Sequence, residues 1–181
     1  MHVTLPAVAN HADVTEIDEA ICDSGFKSRE LDPSWTDTFI EKGQVFDSLE
    51  HVKLFFQAYA VRHHQPYYVA KSQKNLRYTI RCRDLRCNWG VWLRPLKCNV
   101  QKWKVVTVKQ PHMCGRSDIQ QVHPQCTTRF LGRWIVSIVW ADSDTMVAAL
   151  IEFIQGVTMY RVRYGKAWRA KQHAMSLLWG D

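Results

Sequence analysis

The chain has 181 residues, 46% hydrophobic and 23% charged, which is globular material for one domain or two small ones and excludes collagen, a wholly disordered chain and a coiled-coil rod. No run reaches the ~18 unbroken apolar residues of a membrane span, and no basic region followed by an apolar core marks a secretory leader. The net charge of +7 hides a division: residues 1–42 carry nine acidic and three basic side chains, whereas residues 62–116 carry thirteen basic ones against the single Asp84, net +12. A block that basic, with aromatic residues interleaved, points to a polyanionic partner.

Residues 1–42 are acidic, contain Pro6 and Pro33, and show no sustained apolar period. They are expected to form a mostly flexible tail with at most a short helix over His11 to Ala20. A clear helix starts at Ser48, with Asp47 or Ser48 as its cap. Its apolar stripe is Val52, Phe55, Phe56, Tyr59 and Ala60, expected to pack on a sheet. Arg62, His63 and His64 close it, where positive charge suits the helix dipole, and Pro66 stops it.

Four strand-like runs follow: Tyr67 to Gln73, Leu76 to Cys82, Trp89 to Arg94 and Trp103 to Lys109. In the second, Leu76, Tyr78, Ile80 and Cys82 alternate with Arg77, Thr79 and Arg81. This predicts a small antiparallel sheet with one packed and one basic face. Gly115 to Gln125 is polar and reads as a linker, bounded as 117–126. Three helices are then expected over 127–181. The first is capped by Thr127 or Thr128, the second opens at Asp142 to Asp144 and ends at Gly156, and the third runs from Tyr164 to Trp179. They form either a helix-turn-helix-like unit or a plain helical extension. The whole is an α+β chain: a small sheet with a packed N-terminal helix over 43–116, then a three-helix unit.

The strongest chemical signal is Cys82-x4-Cys87 followed, 24 residues on, by His112-x-Cys114. Two close pairs separated by two strands are what one tetrahedral structural zinc needs, and thiolate and imidazole are its preferred ligands. Without a secretory leader the six cysteines are expected to be mostly reduced. Cys22, Cys98 and Cys126 have no close pair, and His123 with Cys126 is read as surface histidine and free thiol. Three thiolates and Zn²⁺ sum to −1, so zinc shapes the basic surface without creating its charge.

These residues resemble a known family. The ligand spacing is similar to that of WRKY/GCM-type zinc fingers. Ala58-Tyr59-Ala60-Val61-Arg62, Ile80-Arg81-Cys82 and the Trp89 strand resemble the N-terminal DNA-binding region of plant Mutator-like (MuDR) transposases. Tyr164-Gly165-Lys166-Ala167-Trp168-Arg169-Ala170-Lys171, with Trp179-Gly180-Asp181, resembles the segment that follows that finger. The resemblance covers residue 43 to the end. It implies a nuclear protein that recognises transposon ends, or a regulator derived from one, with double-stranded DNA as partner and other nuclear proteins or a second copy beside it, and no membrane. The family's acidic catalytic triad and RNase-H-like fold are not in this segment, so no enzymatic activity is expected: the chain is a fragment or a short family member. The WRKY heptapeptide is missing; Tyr68-Val-Ala-Lys-Ser-Gln-Lys74 stands in its place.

A strand edge can enter a major groove. Lys71, Gln73 and Lys74 are therefore the candidate base readers, and Arg77, Arg81, Arg94 and Lys104 the candidate phosphate contacts. On the last helix, Lys166, Arg169 and Lys171 lie away from most of the apolar stripe, which makes Arg169 and Lys171 candidates for a second DNA contact, with a solvated exposed face as the alternative; ~11 linker residues, which can extend to roughly 35 Å, would allow it. The competing reading is a protein-interaction module using the tryptophan-rich helical end: Trp134, Trp140, Trp168 and Trp179. In so small a unit these tryptophans are expected to be mostly core.

Overall fold

The computed structural model describes residues 39–109, 111–115 and 123–180. The acidic tail to residue 38, with the short helix expected over His11 to Ala20, and most of the linker lie outside them. Among the described residues no helix is long and apolar enough to cross a membrane.

Five antiparallel strands form one sheet in the order β1-β5-β4-β3-β2: β1 (Val45–Phe46), β2 (Tyr67–Gln73), β3 (Arg77–Cys82), β4 (Gly90–Pro95) and β5 (Trp103–Lys109). The two-residue β1 has no sequence signature of its own and pairs with the start of β5. In β3, Tyr78, Ile80 and Cys82 face the core, as alternation predicts. Leu76 departs from that pattern: it stands in the turn before β3 and is exposed, beside Asn75 in the left-handed region (φ 55°).

Helix α1 (Leu49–His63) lies on the inner face of the sheet. Ser48 is the cap, its Oγ accepting from the His51 amide at 3.1 Å, which satisfies one of the free amides of the first turn. The helix ends at His64 in the left-handed region (φ 54°). Val52, Phe55, Phe56 and Ala60 enter the sheet core, with Phe46, Phe55 and Phe56 in mutual edge and tilted contact. A second apolar stripe on the same helix is also covered. Ala58, Val61 and the partly buried Leu54 join the core of the helical unit. Two cores thus share one helix.

The helical unit holds four helices where the sequence suggests three: α2 (Thr128–Trp134), α3 (Val136–Ala141), α4 (Val147–Thr158) and α5 (Tyr164–Trp179). The first expected helix is broken because the chain leaves helical geometry at Ile135 (φ −89°, ψ 2°). Thr127 caps α2, its side chain accepting from the Phe130 amide at 3.2 Å. Helix α4 runs past Gly156 to Thr158, whose Oγ1 donates to the Ile154 carbonyl, and stops at Met159 (φ 66°). Helices α2 and α5 pack closely because α5 buries only alanines, Ala167, Ala170 and Ala174, and α2 offers Gly132. A Cβ there would stand 2.8 Å from the Ala170 carbonyl oxygen.

The unit is fixed to the rest by specific bonds. His64 Nδ1 and the Tyr160 hydroxyl share a hydrogen bond at 2.8 Å, Gln125 Nε2 donates to the Tyr67 carbonyl at 2.9 Å, and Arg133 meets Glu50 at 2.6 Å. Through these bonds and the shared core it is docked on α1.

Candidate metal centre and nucleic-acid interface

Cys82 ends β3, Cys87 lies on the loop before β4, and His112 and Cys114 follow β5. Pairing of β3, β4 and β5 brings all four ligand atoms within 4.8 Å of one another. Cys82 Sγ lies 3.4 Å from Cys114 Sγ, and His112 Nδ1 lies 3.4 Å from Cys114 Sγ and 3.6 Å from Cys87 Sγ. These four residues, found from spacing alone, are a cluster suited to a metal ion. No other such group of histidines, cysteines and carboxylates occurs among the described residues.

The electrostatics suit a cation. Burial pushes the Cys82 thiol up to about 12, so its charged form needs a positive neighbour. Burial raises Cys87 too, but the backbone amides of Trp89, Met113 and Cys114 outweigh it and lower the thiol. The Met113 amide donates to Cys87 Sγ at 3.3 Å. Burial, helped by His63, lowers His112 to about 4, leaving the imidazole neutral and able to ligate at neutral pH. The ring is held flat by a stack that sequence spacing does not reveal. Trp89 lies 4.3 Å from His112 at 18°, and Tyr59 of α1 lies 5.9 Å from Trp89 at 6°.

Cys126 is buried and free, and burial raises its thiol to about 11. His123 is not a surface residue as expected: it is buried beside Tyr160, and its Nδ1 accepts from the Gln125 amide at 3.2 Å. The expectation of reduced cysteines holds for Cys82, Cys87, Cys114 and Cys126, whereas Cys98 is disulfide-bonded.

The candidate DNA contacts separate by position. Lys71 and Gln73 are exposed on β2, the edge strand, and Lys74 is exposed in the turn after it. Arg81 and Arg94 are exposed on the outer face of the sheet; Arg77 is half-buried and its Nε donates to Gln73 Oε1. Lys104 does not join them. It lies in β5 between Val45 of β1 and Arg94 of β4, 6% exposed, so its ammonium is not presented on the surface. On α5, Arg169 is exposed, but Lys171 is half-buried and its Nζ donates to the Thr145 carbonyl at 2.8 Å, which ties down the loop before α4. Lys166 is half-buried near Cys126. Three of the tryptophans expected in the core are exposed instead: Trp140, Trp168 and Trp179.

Sequence reasoning passed over Lys109 and Trp92. Lys109 is exposed and Trp92 half-buried on the outer face, with Arg81 and Lys109 both drawn to the Trp92 ring. The signal was present as Trp92 alternating with buried Val91 and Leu93, but the strand partners were not.

No curated protein matches the chain. Among solved structures, the crystal structure of AFT2 in complex with DNA is similar over 77% of this chain and 92% of that one, with 12% identity and a TM-score of 0.34. Strands β1 to β4, helix α1 and the first metal-ligand pair fall within a segment that matches a known family model: residues 37–101 are similar to the MuDR family transposase, in its DNA-binding region.

Proposed function

We propose that the chain binds duplex DNA through the edge strand β2 and the outer face of the sheet, on a scaffold closed by one structural zinc. The observation that carries this reading is the set of exposed Lys71, Gln73, Lys74, Arg81, Arg94 and Lys109 on that edge and face, all but Lys109 in the segment similar to MuDR transposases. Lys71, Gln73 and Lys74 reach base edges, because a β-ribbon fits the major groove. Arg81, Arg94 and Lys109 neutralise phosphates and set the register. Arg169 is left as the α5 candidate.

Zinc is supported by the ligand chemistry and by distance. Bonds of about 2.3 Å to sulfur and 2.0–2.1 Å to nitrogen place tetrahedral ligand atoms about 3.6–3.8 Å apart, close to the spacings above. Cys82, Cys87, His112 and Cys114 would hold it, and a closed four-ligand site serves folding and leaves no position for catalysis. The reading extends to a nuclear, non-catalytic role: recognition of transposon ends, or regulation of transcription by a transposase-derived protein. The test is selection from random duplex DNA with the metal-loaded chain, followed by binding at several salt concentrations. An enriched motif and an affinity that falls steeply with salt are expected; no enrichment and a flat salt response refute it.

A second reading has its own observation. Trp140 and Trp179 stack at 6.4 Å and 18° while 66% and 54% exposed, which favours a protein partner for the helical unit. A pull-down that survives nuclease treatment and is lost in Trp140→Ala with Trp179→Ala supports it.

A further inference from the structure

The first metal-ligand pair is held by its backbone. The Cys82 amide donates to the Trp89 carbonyl at 3.1 Å, and the Cys87 amide donates to the Asp84 carbonyl at 3.0 Å. The His112 ring lacks a support of that kind. It turns Nδ1 toward the sulfurs, 3.4 Å from Cys114 Sγ and 3.6 Å from Cys87 Sγ. With Nδ1 as the ligand atom, the proton of the neutral ring sits on Nε2. Nε2 is buried and has no hydrogen-bond partner among the described residues.

A ligating histidine ordinarily donates its other ring N–H to a carboxylate, a carbonyl or water, and that bond fixes the orientation of the ring. Here aromatic planes stand where the acceptor would be. The Trp89 indole lies 4.3 Å from the His112 ring at 18°, and the Tyr59 ring lies 5.9 Å from the indole at 6°. Trp89 is 1% exposed within the sheet core, where close packing leaves a ring little room to turn. It touches both ligand pairs, Cys82 through its carbonyl and His112 through its ring. The ring can therefore be changed while the backbone bond to Cys82 stays.

We propose that Trp89, backed by Tyr59 of α1, is a positioning residue of the metal centre: its ring sets the plane of His112, so that metal affinity depends on an aromatic stack and not on a hydrogen bond to Nε2. The proposal rests on the zinc reading.

The test uses the full chain and two metals. Zinc affinity is measured by competition with a chelator, and Co²⁺ in the same site reports ligand geometry through its d–d absorption. Trp89→Leu should bind zinc about 10- to 100-fold more weakly, the usual effect of losing the group that orients a ligand, and its Co²⁺ bands should shift or broaden. Trp89→Phe keeps an aromatic face and should stay within about threefold of the parent. Tyr59→Leu should weaken binding about two- to tenfold, as the loss of one stacked pair does, and Tyr59→Phe should change nothing. Val105→Ala is the control. It opens the same core at a residue opposite Leu93, away from the ligands, and should keep the parent's Co²⁺ bands.

A Trp89→Leu chain with the parent's zinc affinity and Co²⁺ bands overturns the proposal and leaves the zinc reading standing. Val105→Ala bands that move as those of Trp89→Leu do overturn it too, since the cause is then a general loss of packing. Where Trp89→Leu does not fold, Tyr59→Leu decides, and parent-like affinity and bands there overturn the proposal. A parent chain that takes up neither metal overturns the zinc reading and the proposal with it.

Discussion

His64 and Tyr160 share a buried hydrogen bond, Nδ1 to hydroxyl at 2.8 Å, across 96 positions of sequence. It joins the left-handed end of α1 to the segment between α4 and α5. Removing the hydroxyl withdraws a partner from a buried imidazole, which costs about 1–3 kcal/mol. Tyr160→Phe is therefore expected to lower the midpoint of urea unfolding while stoichiometric metal is retained.

His123 sets a pH dependence at the same junction. Burial, then the neighbouring His64, lowers its pKa from 6.5 to about 4, so the folded state holds it neutral. Between about 6.5 and 4 the unfolded chain binds the extra proton, so stability is full above that window and is lost as pH falls through it. Acid also strips metal ligands, so the comparison is with His123→Asn. The parent should lose more stability than the variant between pH 7 and pH 4.5; parallel losses would remove His123 as the cause.

The metal cluster makes a sharper prediction. One zinc per chain is expected by elemental analysis of natively purified protein. Cys82→Ser should abolish it and unfold the sheet end around β3, β4 and β5, because metal binding in so small a sheet is folding energy. Cys126→Ser, at a buried thiol outside the cluster, should keep full metal content. A metal-free parent chain that remains folded would contradict the role.

Gly132→Ala tests the helix contact. The added methyl would press on the Ala170 carbonyl oxygen at 2.8 Å and on His173 Cδ2 at 2.8 Å, and one of the two is backbone. Overpacking of this kind costs about 1–3 kcal/mol. Thermal unfolding should shift down, although alanine is the better helix former.

What local chemistry encodes was legible. Caps at Ser48 and Thr127, the alternation of Tyr78, Ile80 and Cys82, and the two ligand pairs all depend on neighbours a few residues away. What failed depends on partners far along the chain. Lys104 reads like any strand cation until β1, two residues long, is found beside it. Lys171 reads as a free charge until Thr145 takes it. Trp92 carries no sign that Arg81 and Lys109 flank it, because only the register of three strands makes them neighbours. Leu54, Ala58 and Val61 were hidden differently: a helix apolar on two sides still shows its stronger stripe first.

That shared helix has a consequence for where this protein can be cut. Ala58 is 4% and Val61 0% exposed only because the chain beyond residue 123 covers them. A chain shortened after Gly115 would keep all four metal ligands and most of the basic face, yet leave an apolar stripe bare to water. It would be prone to self-association even when metal-loaded. Heat should melt the sheet and the helical bundle in a single transition, and zinc removed from one end should loosen amide protection at the other.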